Sequence, residues 1–369
     1  MKTLKGFLLI MTIILLTNSC HVGRYFYWNV ANIDDYKKFE NARITPGNTA
    51  FEFHKNLKKL SIPPSYSDEK NDTEEFLKNH KSVAFILIQN DTILYENYFS
   101  GYDSSSYLTS FSVAKSFVSA LTGIAIAEGH IGSVHDKVYQ YLPYLDTSRF
   151  ALLTIEHLLN MRSGIKANEG YYNPFGEVAK FYYGKNLDKY LRKLKKEGEP
   201  DVNYAYKSVN TQLLADVVEH ATQMPIQVYM EKKLWKPLGM KSNALWSVDS
   251  EKNKTVKAFC CLNARALDYA RFGRLYLRKG NWQGQQLLPE SWIKRSTTIL
   301  SNNRDSQGYA YTYQWRVTDY GAFFARGIKG QYIFVWPEKN IIALRYGKSY
   351  DDIDWARLMK SVIEFNGLK

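Results

Sequence analysis

The chain has 369 residues, 45% hydrophobic and 23% charged, which is the composition of a globular protein with material for a large buried core and excludes wholesale disorder. Its 49 lysines and arginines against 36 acidic residues give a formal charge of +13. The basic residues are scattered, the densest run being Arg192-Lys193-Leu194-Lys195-Lys196, so a solvated helix face explains them better than a nucleic-acid footprint.

Met1, Lys2 and Lys5 introduce an apolar run over residues 7–16, too short to span a bilayer and suited to a secretory signal. Thr17-Asn18-Ser19-Cys20 closes it in a way that resembles a bacterial lipoprotein signal, with Cys20 as the acylated first residue; an ordinary cleaved signal with an incidental Cys20 is the alternative. The expectation is a signal peptide over 1–19 and an exported lipoprotein, held on a membrane and facing the periplasm or cell surface.

Residues 20–80, punctuated by Pro46-Gly47 and Pro63-Pro64, read as an extension wrapping the domain that follows over 81–369. Strand-like runs at 83–89 and 93–99 flank Asn90-Asp91, a hairpin turn. Next comes a helix whose apolar residues, among them Val113, Phe117, Leu121 and Ile124, cover every face, the mark of a helix sunk in the core. From about 130 to 305 the pattern is mainly helical, including 154–161 and the periodic Leu213, Leu214, Val217, Val218 and Ala221. Strands return at 310–317, 322–328, 331–336 and 341–346, and an amphipathic helix over 354–365 ends the pattern. Strands at both ends with helices inserted predict an α+β fold: one antiparallel sheet built from both chain ends, flanked by helices, with a mainly helical subdomain inserted. A cleft belongs where sheet and insert meet.

Ser112-Val113-Ala114-Lys115 opens the buried helix. Positions three apart share a helix face, so the Ser112 hydroxyl and the Lys115 amine project together. A lysine in apolar surroundings is costly unless used, and burial together with the positive end of a helix dipole makes its neutral form accessible. Such an amine can take a proton from a serine hydroxyl. The same spacing recurs at Ser67, Ser163 and Ser291, so the apolar context, not the tetrapeptide, singles out Ser112.

Other chemistries find no support. The seven histidines lack zinc-ligand spacing, and neither a glycine-rich phosphate loop nor a Gly-x-Ser-x-Gly elbow is present, so no metal, cofactor or Ser-His-Asp triad is expected. Cys260 and Cys261 are adjacent, a separation at which disulfide geometry is strained, and they are expected to pack as small apolar side chains.

Four further segments complete a pattern with Phe111-Ser112-Val113-Ala114-Lys115-Ser116-Phe117: residues 154–164 ending in Ser163-Gly164, Tyr206-Lys207-Ser208, the run 263–273 from Asn263 to Gly273, and its continuation to Pro289-Glu290-Ser291-Trp292. In this order they resemble the serine β-lactamase-like and penicillin-recognising hydrolases over about 80–365, particularly the class C β-lactamase, esterase and 6-aminohexanoate-dimer hydrolase branch. The resemblance implies a β-lactamase/transpeptidase-like fold with Ser112 as nucleophile and Lys115 as its base. It also implies that Tyr206 passes the proton to the leaving group and that the backbone amides of Ser112 and Ile328 form an oxyanion hole.

Two departures bear on substrate. Ala325-Arg326-Gly327 stands where relatives carry Lys-Thr-Gly or His-x-Gly, so the cationic anchor for a substrate carboxylate is missing there. Arg326 is a candidate replacement, although strand alternation points it away from the cleft unless the strand bulges, and Gly327 keeps the backbone close to substrate. Ser208 replaces an asparagine that reads a substrate amide. Tyr171, in the loop after Glu169-Gly170, is a candidate substrate contact, with plain packing as its alternative. The expected function is an exported serine hydrolase that cleaves an ester or amide bond in a small-molecule or peptide-like substrate through an acyl-enzyme. A β-lactamase or D-alanyl-D-alanine peptidase is one alternative, and a non-catalytic surface binding protein on the same scaffold is another.

Overall fold

The computed structural model describes residues 21–28, 30–67 and 72–368, so the expected signal segment and Cys20 lie outside the described residues. The strand-like runs of the two chain ends meet in one sheet. Its strands are β1 (His54–Lys55), β2 (Ser82–Gln89), β3 (Thr92–Tyr98), β4 (Ala310–Thr312), β5 (Trp315–Val317), β6 (Phe323–Gly327), β7 (Gln331–Trp336) and β8 (Ile341–Gly347). The spatial order is β4-β5-β6-β7-β8-β2-β3-β1. Pairing is antiparallel throughout, as expected, except that β1 from the N-terminal extension lies parallel to β3. The two ends join where β8 meets β2, with Ile342 opposite Ile88 and Leu344 opposite Ile86.

Both faces of this sheet are apolar and both need cover. β2 sends Ala84, Ile86 and Ile88 to one side and Phe85 and Leu87 to the other; β7 does the same with Ile333 and Val335 against Tyr332, Phe334 and Trp336. The first side carries α1 (Ala114–Ala127), α2 (Ser208–Thr222) and α3 (Ala266–Leu277). The second takes α4 (Trp355–Phe365), which docks Trp355, Leu358, Met359, Val362 and Ile363. Asp354, expected as the first residue of this helix, is its cap: its carboxylate accepts from the amides of Ala356 and Arg357 at 3.2 Å.

α1 is buried from Ala114 to Ala125, as its all-round apolar pattern requires, and packs against α2. The insert is helical as read, but it also contributes to a second sheet in the order Asn41–Ile44, Ala244–Ser247, Leu262–Ala264, Leu108–Thr109. That sheet ties the chain just before Ser112 to the segment around residue 260.

Residues 310–317, expected as one strand, are a hairpin of β4 and β5 turned at Tyr313 and Gln314, both in left-handed conformation with φ of 45° and 68°. No glycine or asparagine marks the turn. Its conformational cost is offset by docking: the Gln314 side-chain Nε2 donates to the Leu158 and Leu159 carbonyls at 3.0 and 3.1 Å, and the Tyr313 backbone amide donates to Asn160 Oδ1 at 3.1 Å.

Candidate active site

Leu108–Thr109 pairs with Leu262–Ala264, and the Ser110 amide donates to the Leu262 carbonyl at 2.8 Å. Phe111 then takes a left-handed φ of 44°, a costly conformation for a bulky residue, and swings the chain into a single 3₁₀ turn, Phe111–Val113, before α1 begins. Ser112 therefore sits on this turn and Lys115 in the first turn of α1. Lys115 is 1% exposed, and three oxygens surround its Nζ: Ser112 Oγ at 3.1 Å, Ser208 Oγ at 3.1 Å and the Phe259 carbonyl at 2.7 Å.

Tyr206 is beside this pair, its ring centroid 5.2 Å from the Lys115 amine and edge-on to Tyr311 at 5.8 Å. Among the described residues its hydroxyl makes no hydrogen bond to Ser112 or Lys115; the amine meets the face of the ring. Catalytic hydrogen bonds are often completed only when substrate binds. The Arg316 guanidinium lies 5.4 Å from the same ring.

The end of β6 rests on the nucleophile's turn. A Cβ at Gly327 would lie 2.4 Å from the Ser110 carbonyl and 3.1 Å from the Ser112 amide, so only glycine permits the approach. The Gly327 carbonyl accepts from the Tyr350 hydroxyl at 2.9 Å. Because that carbonyl and the Ile328 N–H belong to one trans peptide and point in opposite directions, Tyr350 also sets the aim of the Ile328 amide.

Two hollows meet at Ser112, Tyr171, Ile328 and Tyr350. The first, about 290 Å³, has aromatic and aliphatic walls, Tyr182, Phe259 and Val178 among them. The second, about 330 Å³, is lined by Glu169, Tyr204, Tyr206, Asp305, Arg316 and Arg326. Arg326 lies on the face of β6 shared with Phe324, opposite Ala325, as alternation requires. Its long side chain nevertheless borders the second hollow, where Asp305 accepts from Arg326 Nη2 at 3.0 Å and from Arg316 Nε at 2.6 Å. Burial alone would raise the Asp305 carboxyl, but the two guanidinium groups outweigh it and hold it below the usual carboxylate range.

Comparison with known proteins decides the family. The family model described as beta-lactamase matches residues 71–350. The chain belongs to the beta-lactamase family. It is 26% identical over 318 residues to a 6-aminohexanoate-dimer hydrolase of Paenarthrobacter ureafaciens, covering 79% of each chain. Over 125 residues it is 30% identical to an N-acetylmuramyl-L-alanine amidase of Bacillus subtilis, covering 31% of this chain and 28% of that one. Its fold is shared with a Bacillus anthracis protein assigned to the 6-aminohexanoate-dimer hydrolases (TM-score 0.80, 22% identity, 93% and 95% of the chains). It is shared too with an octameric penicillin-binding protein homologue from Pyrococcus abyssi (TM-score 0.64, 18% identity, 79% and 75%). This beta-lactamase-family chain is a serine hydrolase.

Two features of this serine hydrolase escape a reading of the sequence. Glu169 accepts from the Ser208 amide at 2.7 Å, from Ser208 Oγ at 2.5 Å and from the Tyr171 hydroxyl at 3.1 Å. Ser208 and Tyr171 are thus joined to Lys115 in one polar network, and Glu169, which closes it, carried no signal beyond its place in the Tyr171 loop. The second is a correction: Cys260 and Cys261 form a disulfide, with their Cα atoms 3.8 Å apart. The objection from spacing assumed ordinary backbone, whereas Cys261 has a left-handed φ of 66°. The bridge directly follows Phe259, whose carbonyl faces Lys115, and Cys260 borders the first hollow. Among the described residues no group of three or more histidine, cysteine, aspartate or glutamate side chains is placed to hold a metal ion.

Proposed function

We propose that this hydrolase cleaves an ester or amide bond through an acyl-enzyme on Ser112. The observation that carries the reading is the 3.1 Å approach of Lys115 Nζ to Ser112 Oγ at the junction of two hollows. Lys115 takes the hydroxyl proton as Ser112 Oγ bonds to the substrate carbonyl carbon, and the resulting oxyanion is met by the Ser112 and Ile328 amides. The proton then passes by way of Tyr206 to the leaving oxygen or nitrogen, the acyl bond to the leaving group breaks, and water later releases the acid and restores the serine.

Ala325 leaves β6 without the cation that reads a carboxylate, and Ser208 is occupied by Lys115 and Glu169, both of which favour a general ester or amide over a β-lactam or a D-alanyl-D-alanine terminus. A fluorophosphonate probe is expected to add once to the protein, with the adduct on Ser112 by peptide mass spectrometry and none in Ser112→Ala. An adduct elsewhere removes the assignment, and turnover of penicillins at rates matching simple esters removes the preference.

We further propose that the chain is exported and anchored through acyl groups on Cys20. The apolar run at 7–16 supports this, as does a disulfide, which persists in oxidising compartments. Metabolic labelling with a fatty acid is expected to mark the protein and to vanish in Cys20→Ala; an unlabelled, soluble mature protein overturns the anchor.

A further inference from the structure

We infer that the acyl arm of the substrate ends in an anionic group, a carboxylate in its simplest form, received by Lys329 and Lys348. The inference rests on the acyl-enzyme reading and names the substrate class for it. Tyr206, the proton carrier, borders the second hollow and not the first. A leaving group must meet that proton, so it occupies the second hollow, and the acyl arm extends into the first.

The charge balance of the two hollows differs. In the second, Arg316 and Arg326 share one Asp305 oxygen and Glu169 is bound by Ser208 and Tyr171, so two cations stand against two carboxylates. The first is lined by aromatic and aliphatic side chains, by Ser112, Ser208 and Ser349, and by the cations Lys329 and Lys348, with no carboxylate among its lining residues. Neither lysine makes a salt bridge to a described residue. Asp35, the carboxylate that acts on Lys329 from a distance, is already paired with Lys38 at 2.8 Å and bonded by the Tyr182 hydroxyl at 2.8 Å. Lys329 is half-buried, and that burial works against its charge, an effect that an incoming anion would relieve. The Lys348 amine lies 4.8 Å from the centroid of the Tyr102 ring.

The two lysines are held on one wall by a fully buried side chain. Arg345 donates to the carbonyls of Lys329 and Gly330 at 2.9 Å and of Ser349 at 2.8 Å, lacing the β6–β7 turn to the chain leaving β8. The cation absent from position 325 is thereby replaced by two cations beyond the strand, on the acyl side of Ser112 and not the leaving-group side.

The test compares p-nitrophenyl hydrogen adipate with p-nitrophenyl hexanoate, esters that share a leaving group and differ at the far end of the acyl arm. Wild type is expected to favour the adipate at least about tenfold in kcat/KM, chiefly through KM, with the preference shrinking as salt is added. Lys329→Gln and Lys348→Gln should each cut the ratio about threefold to tenfold, the double variant should bring it near one, and arginine at both positions should restore it. Equal turnover of the two esters by wild type, or a preference that survives the double variant, overturns the inference. Failure of wild type to hydrolyse either ester overturns the acyl-enzyme reading itself, and this assignment with it.

Discussion

Replacing Lys115 by methionine is expected to lower kcat/KM toward p-nitrophenyl esters by about a thousandfold or more while the protein stays folded, since general-base contributions run to about 10²–10⁴ and the nucleophile is inert without its base. Methionine is the appropriate probe because it matches the unbranched stem that reaches from α1 toward Ser208 at the start of α2 and fills the space without a charge. The substitution leaves the Phe259 carbonyl without its donor, a buried acceptor whose loss of partner costs about 1–3 kcal/mol, so a modest fall in Tm accompanies the loss of activity. Lys115→Arg should also be inactive, because a guanidinium cannot serve as a base and its planar fork does not fit among three oxygens around one nitrogen. Thermal unfolding followed by circular dichroism separates the two effects. Activity within tenfold of wild type in folded Lys115→Met would show that the proton leaves Ser112 by another route.

The parts of this fold legible in the sequence are those whose signal is local and repetitive. The near-continuous apolar runs of β2, β7 and β8 and the all-round apolarity of α1 follow from elements buried on every face, and they sufficed to predict a sheet joined from both chain ends. The turn at Tyr313 and Gln314 was not legible because its residues carry no turn chemistry; it is held by acceptors around residues 158–160, far away in the chain. The Cys260–Cys261 bridge was missed for a related reason, since its feasibility depends on a left-handed residue that no spacing rule reveals. Ser112 and Lys115 could be read because they are three apart on one element. Glu169, Lys329 and the pair Lys348 and Tyr350 could not, because they reach the site on three segments far apart in the chain, and only the folded chain makes them neighbours. Alternation places Arg326 on the face of β6 opposite Ala325, yet it says nothing of how far a long side chain reaches past a strand's end, and this one borders the second hollow.

Gly327→Ala should reduce kcat by about 10²–10³ with a smaller change in KM, the loss associated with a displaced oxyanion donor. The added methyl would lie 2.4 Å from the Ser110 carbonyl, 3.0 Å from Phe111 Cβ and 3.1 Å from the Ser112 amide. Two of those atoms are backbone and the third is anchored by the left-handed Phe111, so no flexible side chain can yield. Either β6 withdraws or the nucleophile's turn shifts, at an overpacking cost of about 1–3 kcal/mol in stability. Both movements separate the Ser112 and Ile328 amides from their shared target, and a small displacement of such donors is amplified in the rate. Tyr350→Phe tests the same peptide without the clash: losing the 2.9 Å bond to the Gly327 carbonyl leaves the Ile328 amide in place but less firmly aimed, for a fall in kcat of about tenfold. A folded Gly327→Ala with kcat within threefold of wild type, or a Tyr350→Phe enzyme with unaltered kcat, would place the oxyanion donors elsewhere. Should alanine at 327 prevent folding, the phenylalanine variant alone decides, since it removes one oxygen atom and introduces no new contact.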